Sequence, residues 1–381
     1  MTSAKNDKAA MDRRAFIEKL AFAGAAAATA AVASAPVARA AVTGEGNPTM
    51  VAQAQQPGGS AKAVSKTKGL VIDCEHHLKQ WGASAITPQR SMDWMDASGI
   101  DMAFTTTHVR PTDPIEVVRE SNDLLAKLVQ DHPKRYIGCA TVPIGEGGKP
   151  DLREVERIVK QLGLHSVYIA TRPGDPGPLF LDSQEMFPFY EKCSELKIPI
   201  KVEITNWGPE GMDELREPAY HLQYPLHMMF AREFDMAASV LRLMFGGILE
   251  RFPDLTFLMD HYGGGVSMVM DRAEVYWNGY TKEGRVPFYD DKPLITKPFR
   301  TYFDKLYFGM AGRGPSADTL KMILVNVSPK KIMFATDWPY IGIDDNMGKE
   351  FVANVRNINL PQEDIDGILG GNAWRVFGPK T

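Results

Sequence analysis

Gly69-Leu70-Val71-Ile72-Asp73-Cys74-Glu75-His76-His77-Leu78 carries an apolar run, Leu70 to Ile72, straight into a cluster of metal-type side chains. A strand buried on both faces reads as a continuous apolar run, so 70–76 is expected to be a parallel strand. Side chains alternate along a strand, which puts Asp73, Glu75 and His77 on one face and Cys74 and His76 on the other. A carboxylate and an imidazole two residues apart, at a strand end, are placed to grip one ion. A polar strand end reaching solvent is the plainer reading, and the other strand ends have to decide.

Outward from this stretch, strand-like runs recur at 101–107, 136–142, 166–171, 198–204, 255–260, 306–310 and 331–336. Helical patterns lie between them. In 115–131, Ile115, Val118, Leu124, Leu125 and Leu128 fall near a 3.6-residue period, and 150–162 repeats the pattern. Asp182 or Ser183 is placed to cap a helix running to about Leu196, and the longest helix is expected over 226–251, before Pro253. Eight strands alternating with helices predict an α/β fold, a (β/α)₈ TIM barrel. A doubly wound open sheet would want a Gly-rich phosphate turn after the first strand, and Cys74-Glu75-His76-His77 is not one. The segment 205–230, with Trp207, is long enough to fold over a barrel mouth.

Composition narrows the function classes. With 44% hydrophobic and 24% charged residues among 381, the chain has the balance of a soluble protein able to bury one large core. A formal charge of −4 leaves no basic footprint for nucleic acid, so a small-molecule substrate is the expected partner. Cys74, Cys139 and Cys193 lack metal or redox spacing and are expected as small buried residues. Methionines such as Met228, Met229, Met244 and Met259 are expected as core filler.

The amino terminus stands apart. Asp12-Arg13-Arg14-Ala15-Phe16-Ile17, then the Ala-rich run Leu20 to Ala35 and Ala38-Arg39-Ala40, resembles a twin-arginine export signal with its cleavage site. The expected organisation is a signal peptide over 1–40, a flexible leader over 41–68 and the barrel over 69–381. Export would place the mature protein in the periplasm or outside the cell, with no membrane attachment after signal removal.

Catalytic groups of such barrels sit at the carboxyl ends of strands. Those ends carry Glu75 and His77, then His108, Glu203, His261 and Asp337. Lys201 shares the face of Glu203 and is expected to point into the barrel mouth, with Lys201 or Arg216 as a pairing partner for Glu203. Arg110 and Arg313 follow the second and seventh strands and offer cations for a substrate carboxylate, while Trp338 and Trp207 offer aromatic walls. His165 precedes its strand, at the remote end, and is expected to be structural.

These motifs resemble the amidohydrolase superfamily, in the branch of the aminocarboxymuconate-semialdehyde and hydroxybenzoate decarboxylases. The resemblance spans about 70–378 and is carried by Asp73 to His77, by Arg251-Phe252-Pro253-Asp254 through Asp260-His261-Tyr262-Gly263-Gly264, by Phe334-Ala335-Thr336-Asp337-Trp338-Pro339 and by Asn372-Ala373-Trp374-Arg375-Val376-Phe377. It implies that Glu75, His77, Glu203 and Asp337 hold one divalent metal ion, Mn, Zn or Fe, and that His261 and Asp337 handle protons. Glu203 departs from the family's fifth-strand histidine, and three carboxylates with one imidazole favour a hard ion over zinc. The implied activity is non-oxidative decarboxylation, a lyase reaction, of a hydroxylated aromatic or unsaturated acid. The same barrel also serves hydrolases of lactones or amides and Fe- or Mn-dependent oxygenases, in which His76 or His108 would help a second ion. Homodimers are common in this branch and are expected here.

Overall fold

The computed structural model describes residues 69–78, 86–107, 109–145, 148–174, 179–204, 226–279, 293–311, 316–340 and 346–379. Each apolar run becomes a strand. They are β1 (Ile72–His77), β2 (Met102–Thr106), β3 (Tyr136–Gly138), β4 (Ala140–Thr141), β5 (Val167–Ala170), β6 (Ile200–Glu203), β7 (Phe257–Met259), β8 (Tyr307–Gly309) and β9 (Ile332–Met333). The expected third strand is interrupted at Cys139 and forms both β3 and β4.

All pairings are parallel, in the orders β1-β2-β3 and β4-β5-β6-β7-β8-β9. Backbone hydrogen bonds join the two rows at both ends. Cys139 donates to Thr105 O at 2.9 Å and Ala140 to Ser166 O at 3.1 Å, so the third strand bridges its neighbours. Cys74 donates to Phe334 O at 2.8 Å, Asp337 to Glu75 O at 2.9 Å and His77 to Trp338 O at 2.8 Å. The last strand is thereby sewn to the first, and the barrel has no open edge.

Helices pack outside, started by the residues the sequence marks. Thr87 Oγ1 accepts from Arg90 N at 3.1 Å and caps α1 (Pro88–Ser98). The 3.6-residue stripe forms α2 (Ile115–Asp131), and its Asn122 both donates to Thr141 O and accepts from Thr141 N, tying helix to strand. Asp151 caps α3 (Leu152–Lys160). Ser183 does not cap the next helix, because its hydroxyl accepts from Phe180 N; a 3₁₀ turn, Gln184–Met186, then leads into α4 (Phe187–Leu196).

The expected long helix over 226–251 is divided. A π-helical turn, His227–Ala231, precedes α5 (Arg232–Phe245), and α6 (Ile248–Arg251) follows a break at Gly246-Gly247. Gly247 has φ +73°, and a Cβ there would stand 2.8 Å from Leu294 O, so the chain must step left-handed past that segment. Met244 and Met259 are core, as expected, but Met229 is exposed. Cys74, Cys139 and Cys193 are buried free thiols, and burial pushes that of Cys139 up to about 12. No described helix is long and apolar enough to cross a membrane. The expected signal and leader over 1–68, and 205–225 of the expected mouth loop, lie outside the described residues.

Candidate metal centre

The carboxyl ends of four strands converge. Glu75 and His77 close β1, Glu203 closes β6, Asp260 and His261 directly follow β7, and Asp337 follows β9. His77 Nε2 lies 3.2 Å from Asp337 Oδ1, 3.6 Å from Glu75 Oε1 and 3.7 Å from Glu203 Oε1. His261 Nε2 stands 3.4 Å from the same Glu75 oxygen. Glu75, His77 and Asp337 present ligand atoms within 4.8 Å of one another, and so do Glu75, Glu203 and Asp260. All of these residues are buried.

Local geometry aims these groups. The β1–β2 register shifts between Asp73 and His76, so the strict alternation expected for this stretch breaks. Glu75 and His77 still face the centre, but Asp73 turns to His76, its Oδ2 lying 3.1 Å from Nδ1. Asp73 also accepts from Thr336 N at 2.8 Å and Thr336 Oγ1 at 2.6 Å. It braces the last strand against the first, accepts from Glu75 N at 3.2 Å, and belongs to neither group of metal-type ligands among the described residues. His261 and Asp337 have φ of 52° and 62°, a left-handed conformation rare outside glycine. Such backbone collects at functional sites, where it aims a side chain that regular structure would not.

Partners fix the imidazoles. His77 Nδ1 lies 3.1 Å from Thr106 Oγ1; a ring that keeps its Nδ1–H for that contact would, once Nε2 loses its proton, turn the Nε2 lone pair to the centre. His261 Nδ1 lies 2.8 Å from Glu233 Oε1 on α5. His76 is fully used, with Ser91 Oγ at 2.7 Å from Nε2 and Trp338 stacked on its ring at 4.7 Å. It is therefore not available to a second ion.

The electrostatics are those of a crowded anionic pocket. Burial opposes the charged form of Glu75, but Lys201 and His261 hold its carboxyl well below the usual range. Burial pushes Glu203 and Asp260 up, with the neighbouring carboxylates adding to the rise. Burial opposes the imidazolium of His77, yet Glu203, Asp337 and Glu75 outweigh it and bring the group to about 10. Glu233 and Glu75 likewise raise His261 against burial.

The structure thus gathers Glu75, His77, Glu203, His261 and Asp337 at one place. Lys201 does point into the barrel, but Asp260 is its nearest carboxylate, at 3.1 Å, with Glu203 at 3.9 Å. Trp338 is 3% exposed, and its ring packs against both His76 and Trp94, which are also in contact with each other at 6.0 Å. Arg110 is exposed beyond β2, its amide donating to Asp113. His165 is exposed before β5. Arg313, Arg216, Trp207 and His108 lie outside the described residues. Two further residues of the site, Asp260 and Glu233, are not marked by the strand-end pattern. Asp260 sits beside His261 in the quoted motif and is legible there, whereas Glu233 lies on a helix that only folding brings near.

The donor set fits a divalent ion. Among the described residues, neither oxygen of Glu75 accepts a hydrogen bond, although both are buried, and an unsatisfied buried carboxylate wants a cation. Oxygen-rich donors with one imidazole suit a hard ion such as manganese.

A profile of the Amidohydrolase family matches residues 72–378. The chain belongs to the amidohydrolase family. Among its relatives, gamma-resorcylate decarboxylase of Polaromonas sp. (strain JS666 / ATCC BAA-500) is 27% identical over 300 residues, 76% of this chain and 86% of its own length. The 2-amino-3-carboxymuconate-6-semialdehyde decarboxylase of Dictyostelium discoideum is 24% identical over 271 residues, 71% of this chain and 68% of its own. A 5-carboxyvanillate decarboxylase of Novosphingobium aromaticivorans DSM 12444, solved with manganese and 4-hydroxy-3-methoxy-5-nitrobenzoic acid, superposes with a TM-score of 0.68 at 18% identity, over 82% of this chain and 97% of that one. The structural likeness establishes the barrel of this amidohydrolase.

Proposed function

We propose that this amidohydrolase is a divalent-metal-dependent carboxy-lyase that removes carbon dioxide, without oxidation, from a hydroxylated aromatic acid. One observation carries the reading. Glu75 forms a metal-type group with His77 and Asp337, and its Oε1 lies 3.6 Å from His77 Nε2 and 3.4 Å from His261 Nε2. A metal site and a proton donor therefore meet at one carboxylate. The relatives named as decarboxylases support the same reaction class.

Glu75, His77 and Asp337 would hold the ion, with Glu203 beside them. A divalent ion bound there supplies Lewis-acid polarisation of the oxygens of a chelating substrate. The protein's own groups supply the proton. His261 is charged and turned toward the centre by Glu233, so its Nε2–H is a general acid. The ring carbon that bears the carboxylate takes that proton. The bond to the carboxylate then breaks, its electron pair stays on the ring, and carbon dioxide leaves.

The test is direct. Purified protein loaded with manganese is offered a panel of hydroxybenzoates, and carbon dioxide and the decarboxylated phenol are measured. Release from at least one member is expected, and none from any member would remove the proposal. Oxygen-18 from solvent appearing in the product would replace it with a hydrolytic reaction.

The reading extends to location and assembly. Arg13-Arg14 direct export of the folded enzyme to the periplasm, where it works as a homodimer on a small-molecule substrate. Substituting both arginines with lysine should retain the protein in the cytoplasm, and size-exclusion chromatography reads the dimer.

A further inference from the structure

Two groups of potential ligands overlap at Glu75: Glu75, His77 and Asp337 form one, and Glu75, Glu203 and Asp260 the other. The second already contains a cation. Lys201 Nζ lies 3.1 Å from Asp260 Oδ2 and 3.9 Å from Glu203 Oε2. We propose that the Lys201 ammonium takes the place of a second metal ion, and so limits this centre to one. The inference rests on the metal-dependent reading above.

Three points support it. First, Lys201 is fully buried, a rare state for lysine that needs an opposing charge to be tolerated. Packing alone would be better served by an apolar side chain. Secondly, the ammonium makes no hydrogen bond of good geometry among the described residues, and neither Asp260 oxygen accepts one. It acts as a compact point charge between carboxylates, as an ion would, and not as a member of a hydrogen-bond network. Thirdly, its position is imposed by the barrel. Lys201 pairs with Tyr168 on β5 and Leu258 on β7, two residues below Glu203, so its stem rises inside the barrel to the cluster. Paired ions in two-metal enzymes stand about 3.5–4 Å apart and share ligands. Glu75 is placed to be shared in that way, and Lys201 holds the second seat by a covalent tether that no chelator removes.

Lys201→Ala should open that seat. The full-length protein and the variant are saturated with Mn²⁺, freed of excess ion, and their metal content is measured. One ion per chain is expected for the unaltered protein and two for the variant, with a spin-coupled manganese spectrum in the variant alone. Two ions in the unaltered protein would overturn the proposal, and so would one ion in a folded Lys201→Ala protein. No ion in the unaltered protein would instead remove the metal-dependent reading itself. If Lys201→Ala is unstable without metal, its thermal midpoint should climb with Mn²⁺ more steeply than that of the unaltered protein. A variant that stays unfolded at every Mn²⁺ concentration counts against the role.

Discussion

His261 and Glu233 form a directed pair: Nδ1 of the imidazole lies 2.8 Å from Glu233 Oε1, which leaves Nε2 facing Glu75 at 3.4 Å. The carboxylate comes from α5 and the imidazole from the turn after β7. Glu233 therefore sets both the direction and the charge of the proposed acid.

Glu233→Gln removes that charge, and the His261 imidazolium loses a neighbour that raises it. The sign follows: the acid loses its proton at lower pH, so the basic limb of the pH–rate profile moves toward lower pH. The turnover should fall about 10–100-fold, the usual effect of losing an orienting partner, with KM little changed. An unmoved basic limb would show that Glu233 is only structural.

As a proposed ligand, His77 would couple metal loading to pH. Its anionic neighbours keep the ring protonated up to about pH 10 when no ion is bound. Coordination through Nε2 needs the neutral ring, so binding expels a proton. Apparent Mn²⁺ affinity should rise about tenfold per pH unit below 10 and level off above it. Titration calorimetry in buffers of different ionisation enthalpy reads the proton, and an affinity flat with pH contradicts the role of His77.

Gly264 lets α5 approach the turn that carries His261. Its φ is +62°, and a Cβ there would fall 1.9 Å from Glu233 O. Gly264→Ala should cost about 3 kcal/mol or more, combining left-handed strain with overpacking. Because the clash falls on the residue that orients His261, activity should drop even where the variant stays folded. A thermal midpoint and turnover equal to those of the parent would refute this.

Asp73 holds the barrel closed. It accepts from Thr336 N and Oγ1 and contacts His76, all buried. Asp73→Ala strands those partners and should destabilise the protein by about 3 kcal/mol, since a hydrogen bond to a charged group contributes about 1.5–3 kcal/mol. Denaturant unfolding measures it. Bound metal should recover part of the loss, because Glu75 and Asp337 come from the two strands that Asp73 joins.

The sequence alone determined the parts governed by local chemistry. Apolar runs of strand length marked every strand, and the 3.6-residue stripe marked α2 to its ends, because burial of one face is written in the order of residues. The gathering of Glu75, His77, Glu203, His261 and Asp337 was legible too, since a parallel barrel brings all carboxyl ends of its strands to one face. Tertiary structure decided whatever depends on distant neighbours. Asp73 paired with His76 because a register shift overrode alternation, and Trp338 went into a ring cluster with His76 and Trp94. The helix over 226–251 broke at Gly247 because the chain near Leu294 passes there. Glu233 reached His261 and Lys201 reached Asp260 across segments that no periodicity links. A strand end states which groups are offered to a site, but their partners, and hence their charge and aim, exist only once the barrel has closed.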